Sequence, residues 1–268
     1  MPGDKKAQAH RAEVETIVKK AARKLRISKA DAETRRRICN TQLEMLGLSL
    51  PQLREINQAG FSFYPDRGAA KHAQGAGSGL SAAGEKALLR AWGEVWTESR
   101  IFDAKIQALL YYEGRIKELS ARIHWPALKA WARDIDNWDH SDRFSKIFAQ
   151  LLENSPHAVY PTLQKWNRSR NPWLRRQSIV GLLCFNSLRE TRPPARDILP
   201  LVENLLADSD SYVQKGVGWT LRETGRAYPR ETLAFLYKHI RALSPAAFSA
   251  ATEKISKSEK RKLKDLRK

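Results

Sequence analysis

The sequence has no long apolar run and almost no cysteine. No stretch of about 18 apolar residues occurs, so a membrane-spanning helix is not expected, and the polar segment at residues 1–6 lacks an apolar signal core. Cys39 and Cys184, the two cysteines, form no CxxC pair, which argues against a disulfide framework or a structural zinc site. We therefore expect a reduced, cytoplasmic protein, nucleoid-associated if bacterial, with no metal and no cofactor.

The charge balance is strongly positive. The 268 residues include 48 Lys+Arg against 29 Asp+Glu, a formal net charge of +19. A field of that sign attracts polyanions, meaning DNA, RNA or anionic lipid. Charge alone also fits a ribosome-associated protein or a simply soluble basic protein. A hydrophobic content of 42% is enough for the core of one large domain or a short repeat array.

Apolar residues recur at helical spacing along residues 1–64, which predicts a group of amino-terminal helices. One of these helices is predicted over residues 31–47, with Asp31 as its N-cap and Gly47 as its end. Pro51 stands at an early position of the next helical pattern, where proline is tolerated, and predicts another helix start.

From residue 85 the helical patterns resume without a credible strand. Aligning their apolar positions predicts that second helices of successive pairs start near residues 101, 137, 173 and 212, at spacings of 36, 36 and 39 residues. Such spacing is near the roughly 40-residue period of HEAT-like repeats. We therefore predict an all-α fold, a HEAT-like repeat α-solenoid over residues 85–250 with a concave basic face, in a single domain overall.

Two segments differ from the rest in composition. Residues 65–84 hold five of the 14 glycines and are predicted to be a flexible loop. This loop is either a linker or an arm that lies on a phosphate backbone through Arg67, Lys71 and His72. Residues 251–268 are rich in Lys and Arg and are predicted to be a frayed helix or disordered basic tail, either solvated or adding non-specific DNA affinity.

Three short motifs stand near the starts of predicted second helices, where successive repeats would line one face together. They are Trp138-Asp139-His140-Ser141-Asp142, Trp173-Leu174-Arg175-Arg176 and Lys215-Gly216-Val217-Gly218-Trp219-Thr220-Leu221-Arg222. Read singly they are weak signals, because a repeat tryptophan is more often core and an aspartate before arginine is usually solvated or salt-bridged. Five other tryptophans are interpreted as core or packing residues: Trp92, Trp96, Trp125, Trp131 and Trp166.

At these motifs the chain resembles the AlkD-type DNA alkylation repair proteins, which are DNA glycosylases built from HEAT-like repeats. The resemblance covers most of residues 85–245. The patterns Trp-Asp-x-x-Asp, Trp-Leu-x-Arg and Gly-Trp-x-Leu-Arg are met in order by Trp138, Asp139 and Asp142, by Trp173, Leu174 and Arg176, and by Gly218, Trp219, Leu221 and Arg222. Ser141 stands where the family more usually has an aliphatic residue, and His140 adds a titratable group.

The resemblance implies excision of cationic N3- and N7-alkylated purines in base excision repair, with Asp142 as the catalytic carboxylate and Trp138 and Trp219 beside the damaged nucleotide. The chemistry suits these residues. A carboxylate near C1′ stabilises an oxocarbenium-like sugar and orients a water, and indole faces attract cations. A cationic base leaves readily, so a monofunctional glycosylase needs no lysine nucleophile.

The resemblance also implies that Arg176 anchors the DNA backbone, because guanidinium groups suit phosphate contacts. We add Arg175, Lys215 and Arg222 as backbone-binding cations, with double-stranded DNA containing alkylated bases as the partner of a monomeric protein.

Other interpretations stay open from the residues alone. A non-catalytic HEAT-like module that binds DNA or RNA structure would leave Asp142 structural, whereas a peptide-binding scaffold fits the charge poorly. Asp139 either caps its helix or pairs with an arginine. His140 is interpreted as an exposed residue at a helix start, and otherwise as a group that tunes a proton near pH 7.

Overall fold

The computed structural model describes residues 2–64, 80–183 and 191–268, with side chains from residue 8 onward. This part of the chain is helical and holds no β-strand; its one β-bridge joins Glu44 to Ile101. The helices are α1 (Pro2–Lys24), α2 (Lys29–Cys39), α3 (Leu50–Ala59), α4 (Ala82–Glu98), α5 (Phe102–Gly114), α6 (Ala121–Trp131), α7 (Trp138–Asn154), α8 (Pro156–Trp166), α9 (Pro172–Val180), α10 (Ala195–Glu203), α11 (Ser211–Ala227), α12 (Pro229–His239), α13 (Pro245–Ala251) and α14 (Lys257–Asp265). None of the described helices is long and apolar enough to cross a membrane.

The chain divides into two compact units, residues 1–143 and residues 144–268. In the first unit, α5 is the central helix, because every residue from Phe102 to Tyr112 is buried. Helices α1, α3 and α4 pack against it, and α6 packs on α4. The buried side chain of Gln107 in α5 is hydrogen-bonded: its Nε2 donates to the backbone oxygen of Leu53 at 3.1 Å.

In the second unit, alternate helices stack on one another. Helix α11 packs between α9 and α13, and α10 packs on α12, while α8 packs on α9 and α10 on α11. Helices α9 to α12 therefore each contact a chain neighbour and the next helix but one. This is the contact pattern of stacked helix pairs in HEAT-like repeats.

The predicted starts of the second helices are confirmed. Helices α5, α7, α9 and α11 begin at Phe102, Trp138, Pro172 and Ser211, each within one residue of the predicted position. All five tryptophans that were interpreted as core residues are buried. The apolar period located α7 and α11 because each buries one face more than the other. Helix α5 is instead buried on all sides, and its start was located from the repeat spacing.

The helix predicted over residues 31–47 is present, but its predicted bounds were wrong. The N-cap of α2 is Ser28, whose hydroxyl accepts the Asp31 backbone N–H, and α2 ends at Cys39. The chain then runs without a helix to α3, because the buried carboxylate of Asp103 accepts the backbone N–H groups of Leu46 and Leu48 at 2.8 and 3.0 Å. The predicted helix start near Pro51 is confirmed by α3.

Of the two compositionally distinct segments, residues 65–84 are described only from residue 80, and residues 251–268 are described throughout. Arg67, Lys71 and His72 lie outside the described residues. Helix α4 begins at Ala82, capped by the Ser81 hydroxyl, so residues 82–84 of the predicted loop are helical. Residues 257–265 form the folded helix α14 in place of a frayed or disordered tail, because Leu263 anchors them in the core of the second unit.

Candidate functional site

The start of α7, which carries the first motif, is fixed by Asn137. The Asn137 side-chain oxygen accepts the His140 backbone N–H at 2.9 Å, and its backbone oxygen accepts the Ser141 N–H at 3.2 Å. Unpaired N–H groups at a helix start are satisfied in this way by a capping asparagine. The helix start, and with it the direction of the motif side chains, is therefore set by a buried residue just before the motif.

Asp136, which is partly exposed, extends this cap into a polar network. One of its oxygens accepts from the Thr41 hydroxyl at 2.5 Å, and the other accepts from Asn137 Nδ2 at 2.6 Å and lies 3.4 Å from His140 Nδ1. Burial alone would raise the pKa of Asp136, but contacts with His140, Thr41 and Asn137 outweigh it and lower the pKa to about 2. Asp136 is therefore ionised near neutral pH and joins the segment after α2 to the start of α7.

The interpretation of His140 as an exposed residue was wrong. Its side chain is 0% exposed, stacks on Phe102 with ring centroids 4.9 Å apart and meets the edge of Trp96 at the same distance. Burial lowers the pKa of His140, with Asp136 opposing the shift, so the imidazole is held towards its neutral form. His140 continues the apolar stripe of α7 that includes Phe144 and Ile147, and that spacing is the signal that could have placed it inside.

The half-buried residues of the first motif are Trp138, Asp139 and Asp142. The Trp138 indole N–H donates to the Ile38 backbone oxygen at 2.9 Å, which holds the ring against the end of α2. Asp139 pairs with Arg143 at 3.3 Å, the alternative that sequence reasoning left open for it. Because residues four apart are neighbours on a helix surface, Trp138 and Asp142 lie side by side on α7.

In the second unit, Arg175 is engaged within the fold. Its guanidinium forms a two-point ion pair with Asp208, at 2.5 and 3.1 Å, and donates to the backbone oxygens of Ser169 and Arg170 at 2.9 and 3.0 Å. Through these contacts, Arg175 holds the turn before α9 against the turn before α11, where Asp208 lies. A DNA contact by Arg175 would require exchange of these partners.

Arg176 and Trp219 are brought together by the packing of α9 on α11. The guanidinium carbon of Arg176 lies 5.7 Å from the centre of the Trp219 ring, within the range of a cation–π contact. Arg176 is only 4% exposed and donates to the Tyr212 backbone oxygen at 2.8 Å. Gly216 makes room for it, since a β-carbon there would lie 3.3 Å from the Arg176 side chain.

An aromatic and cationic surface lies beside this pair. The half-buried rings of Trp173 and Tyr212 have centroids 5.0 Å apart, and the Lys215 ammonium lies 4.6 Å from the Tyr212 ring centre. Lys215 is exposed. Tyr212 was missing from the predicted site residues, although the repeat alignment sets it over Trp173.

The rest of the third motif serves packing and ion pairing. Leu221 is fully buried, and a β-carbon at Gly218 would lie 2.7 Å from the Ala247 backbone oxygen, so glycine lets α11 approach α13 closely. Arg222 pairs with Glu253 at 2.6 Å and with Glu223 at 3.0 Å. These carboxylates already neutralise the cation that was predicted to bind the DNA backbone.

The described part of the chain is thus an all-helical protein of stacked helix pairs, with aromatic and charged side chains placed at the starts of α7, α9 and α11. Within it, no group of three His, Cys, Asp or Glu side chains is placed to hold a metal ion. The chain belongs to the DNA alkylation repair enzyme family, whose sequence profile matches residues 21–255. No curated protein matches the chain significantly.

Proposed function

We propose that this protein is a monofunctional DNA glycosylase that removes cationic N3- and N7-alkylated purines from double-stranded DNA. The observation that carries the proposal is that Trp138 and Asp142 lie one turn apart at the start of α7. Hydrogen bonds of Trp138, Asn137 and Asp136 hold this helix start in place. Membership of the DNA alkylation repair enzyme family supports DNA with alkylated bases as the substrate. We propose that the protein acts as a monomer on cytoplasmic DNA, without a cofactor.

In the proposed reaction, Asp142 faces the sugar of the damaged nucleotide. As the glycosidic bond breaks, its electron pair goes to the purine, which leaves as a neutral alkylated base. Positive charge moves to the sugar, where the Asp142 carboxylate stabilises it. A water oxygen then bonds to C1′ and releases a proton to the carboxylate or to solvent. The leaving base needs no general acid, which agrees with a buried His140.

The tryptophans would select for charge. Trp138 and Trp219 each offer an indole surface, and an indole attracts a cation by about 0.5–2 kcal/mol, depending on desolvation. Arg176 lies over one side of Trp219, so a ligand would meet the remaining surface of that ring. We propose that Arg176 supports Trp219 in addition to its expected backbone contact, and that exposed Lys215 neutralises a phosphate.

The deciding experiment is release of bases from defined duplexes that contain one 7-methylguanine, 3-methyladenine or hypoxanthine, under single-turnover conditions. The proposal expects release of both cationic bases and much slower release of hypoxanthine, which is neutral. Equal rates on hypoxanthine and 7-methylguanine would refute charge selection. Binding to the lesion duplex without any release would refute the glycosylase and leave a non-catalytic DNA-binding module.

A further inference from the structure

Helix α14 carries a row of exposed cations on one face. Lys257, Arg261 and Lys264 are spaced i, i+4 and i+7, which places them one above the other along the helix. All three are exposed. We call these three residues the basic stripe.

The opposite face of α14 is anchored in the second unit. Leu263 is fully buried, and Arg267 donates to the Leu243 backbone oxygen at 2.7 Å while its guanidinium carbon lies 4.8 Å from the Phe248 ring centre. Because the helix is fixed at this face, the three cations keep their spacing, with rises of about 6 and 4.5 Å along the axis. The basic stripe is therefore an ordered surface.

Ion pairing distinguishes three other lysines of this segment from the basic stripe. Lys254, Lys262 and Lys268 pair with Glu253, Glu259 and Asp265 at 2.9, 3.3 and 3.2 Å. In the part of the chain that the structure describes, the three stripe residues have no carboxylate partner. Like charges at i, i+4 destabilise a helix, whereas alternating signs stabilise it. A polyanion lying along the stripe would attract all three cations and offset the repulsion between them.

We propose that the basic stripe binds the phosphate backbone of duplex DNA without reading its sequence. A row of fixed cations matches a line of phosphates, and such contacts position a protein on DNA without specifying bases. The choice of duplex DNA rests on membership of the DNA alkylation repair family and not on excision. The stripe would add affinity for undamaged DNA outside the lesion.

The test compares two triple variants of the full chain. Lys257→Gln/Arg261→Gln/Lys264→Gln removes the stripe, and Lys254→Gln/Lys262→Gln/Lys268→Gln removes the same charge from the paired lysines of the same segment. Binding of a fluorescent undamaged duplex is followed by anisotropy between about 50 and 200 mM salt. Loss of the stripe should flatten the plot of the logarithm of the binding constant against the logarithm of the salt concentration. The expected change in slope is about 2.7 units, at about 0.9 per phosphate contacted.

The paired-lysine control should keep nearly the wild-type slope. Equal flattening in both variants would show an effect of net charge alone and overturn the proposal, as would an unchanged slope in the stripe variant. Thermal melts monitor the fold, and Arg261→Lys, which keeps the charge, should keep the slope even if the triple variant melts early. A wild-type protein that binds duplexes but releases no base would refute the glycosylase and leave the slope comparison intact.

Discussion

Replacing Asp136 by Asn should loosen the start of α7 in a pH-dependent way. Asn cannot satisfy the same network, because both oxygens of Asp136 accept hydrogen bonds. An NH₂ group would face either the Asn137 NH₂ or the Thr41 hydroxyl and Gln42 N–H, all of which now donate. The pKa of Asp136 is lowered to about 2 in the fold, from an ordinary 3.8. Since one pKa unit corresponds to about 1.4 kcal/mol, and the side chain is 31% exposed and partly screened, we expect a loss of about 2 kcal/mol.

The sign of the pH dependence follows from the lowered pKa. The carboxylate stabilises the fold fully above its unfolded pKa near 4, and that contribution is lost as the pH falls from about 4 towards 2. Urea unfolding followed by tryptophan fluorescence should therefore separate wild type from Asp136→Asn at pH 7 and bring them together only below about pH 2. Asp265→Asn, at an exposed ion pair, is the control and should change little. A loss that is as large below about pH 2 as at pH 7 would refute the reasoning.

Three further outcomes are expected. Gly218→Ala should destabilise the protein by about 1–3 kcal/mol, because the new β-carbon meets the backbone of α13; an unchanged Tm would contradict this packing role. Trp138→Ala and Trp219→Ala should slow release of 7-methylguanine more than release of a neutral base, by about 0.5–2 kcal/mol for each lost contact, and equal slowing of both lesion classes would oppose charge selection. Lys215→Gln should flatten the salt slope of duplex binding by about 0.9 units in an anisotropy titration, and an unchanged slope would place this cation away from the DNA.

Sequence periodicity predicted the helical class and the starts of α5, α7, α9 and α11, because apolar residues recur at helical spacing and the helix pairs recur at a near-constant interval. It failed for residues 31–47, where local pattern favoured a longer helix. There, Asp103 captures the Leu46 and Leu48 N–H groups from far along the chain. Such tertiary hydrogen bonds leave no mark in a local pattern.

The same limit applies to the candidate site. The motifs located Trp138 and Asp142 together on α7, but the partners that engage the arginines are remote in sequence. Arg175 meets Asp208, and Arg222 meets Glu253, each more than thirty residues away. Charge composition therefore predicted cations on the surface without showing which of them the fold already neutralises.

The central claim is that Asp142 stabilises the sugar as the base leaves. The most direct measurement is the single-turnover rate of 7-methylguanine release by wild type, Asp142→Asn and Asp139→Asn, with duplex affinity measured for each. Asp139 is the matched control, a half-buried carboxylate of the same helix that pairs with Arg143. The account predicts that Asp142→Asn keeps its affinity and loses about 10²–10³-fold in rate, while Asp139→Asn stays near wild type. A wild-type rate in Asp142→Asn would contradict the claim.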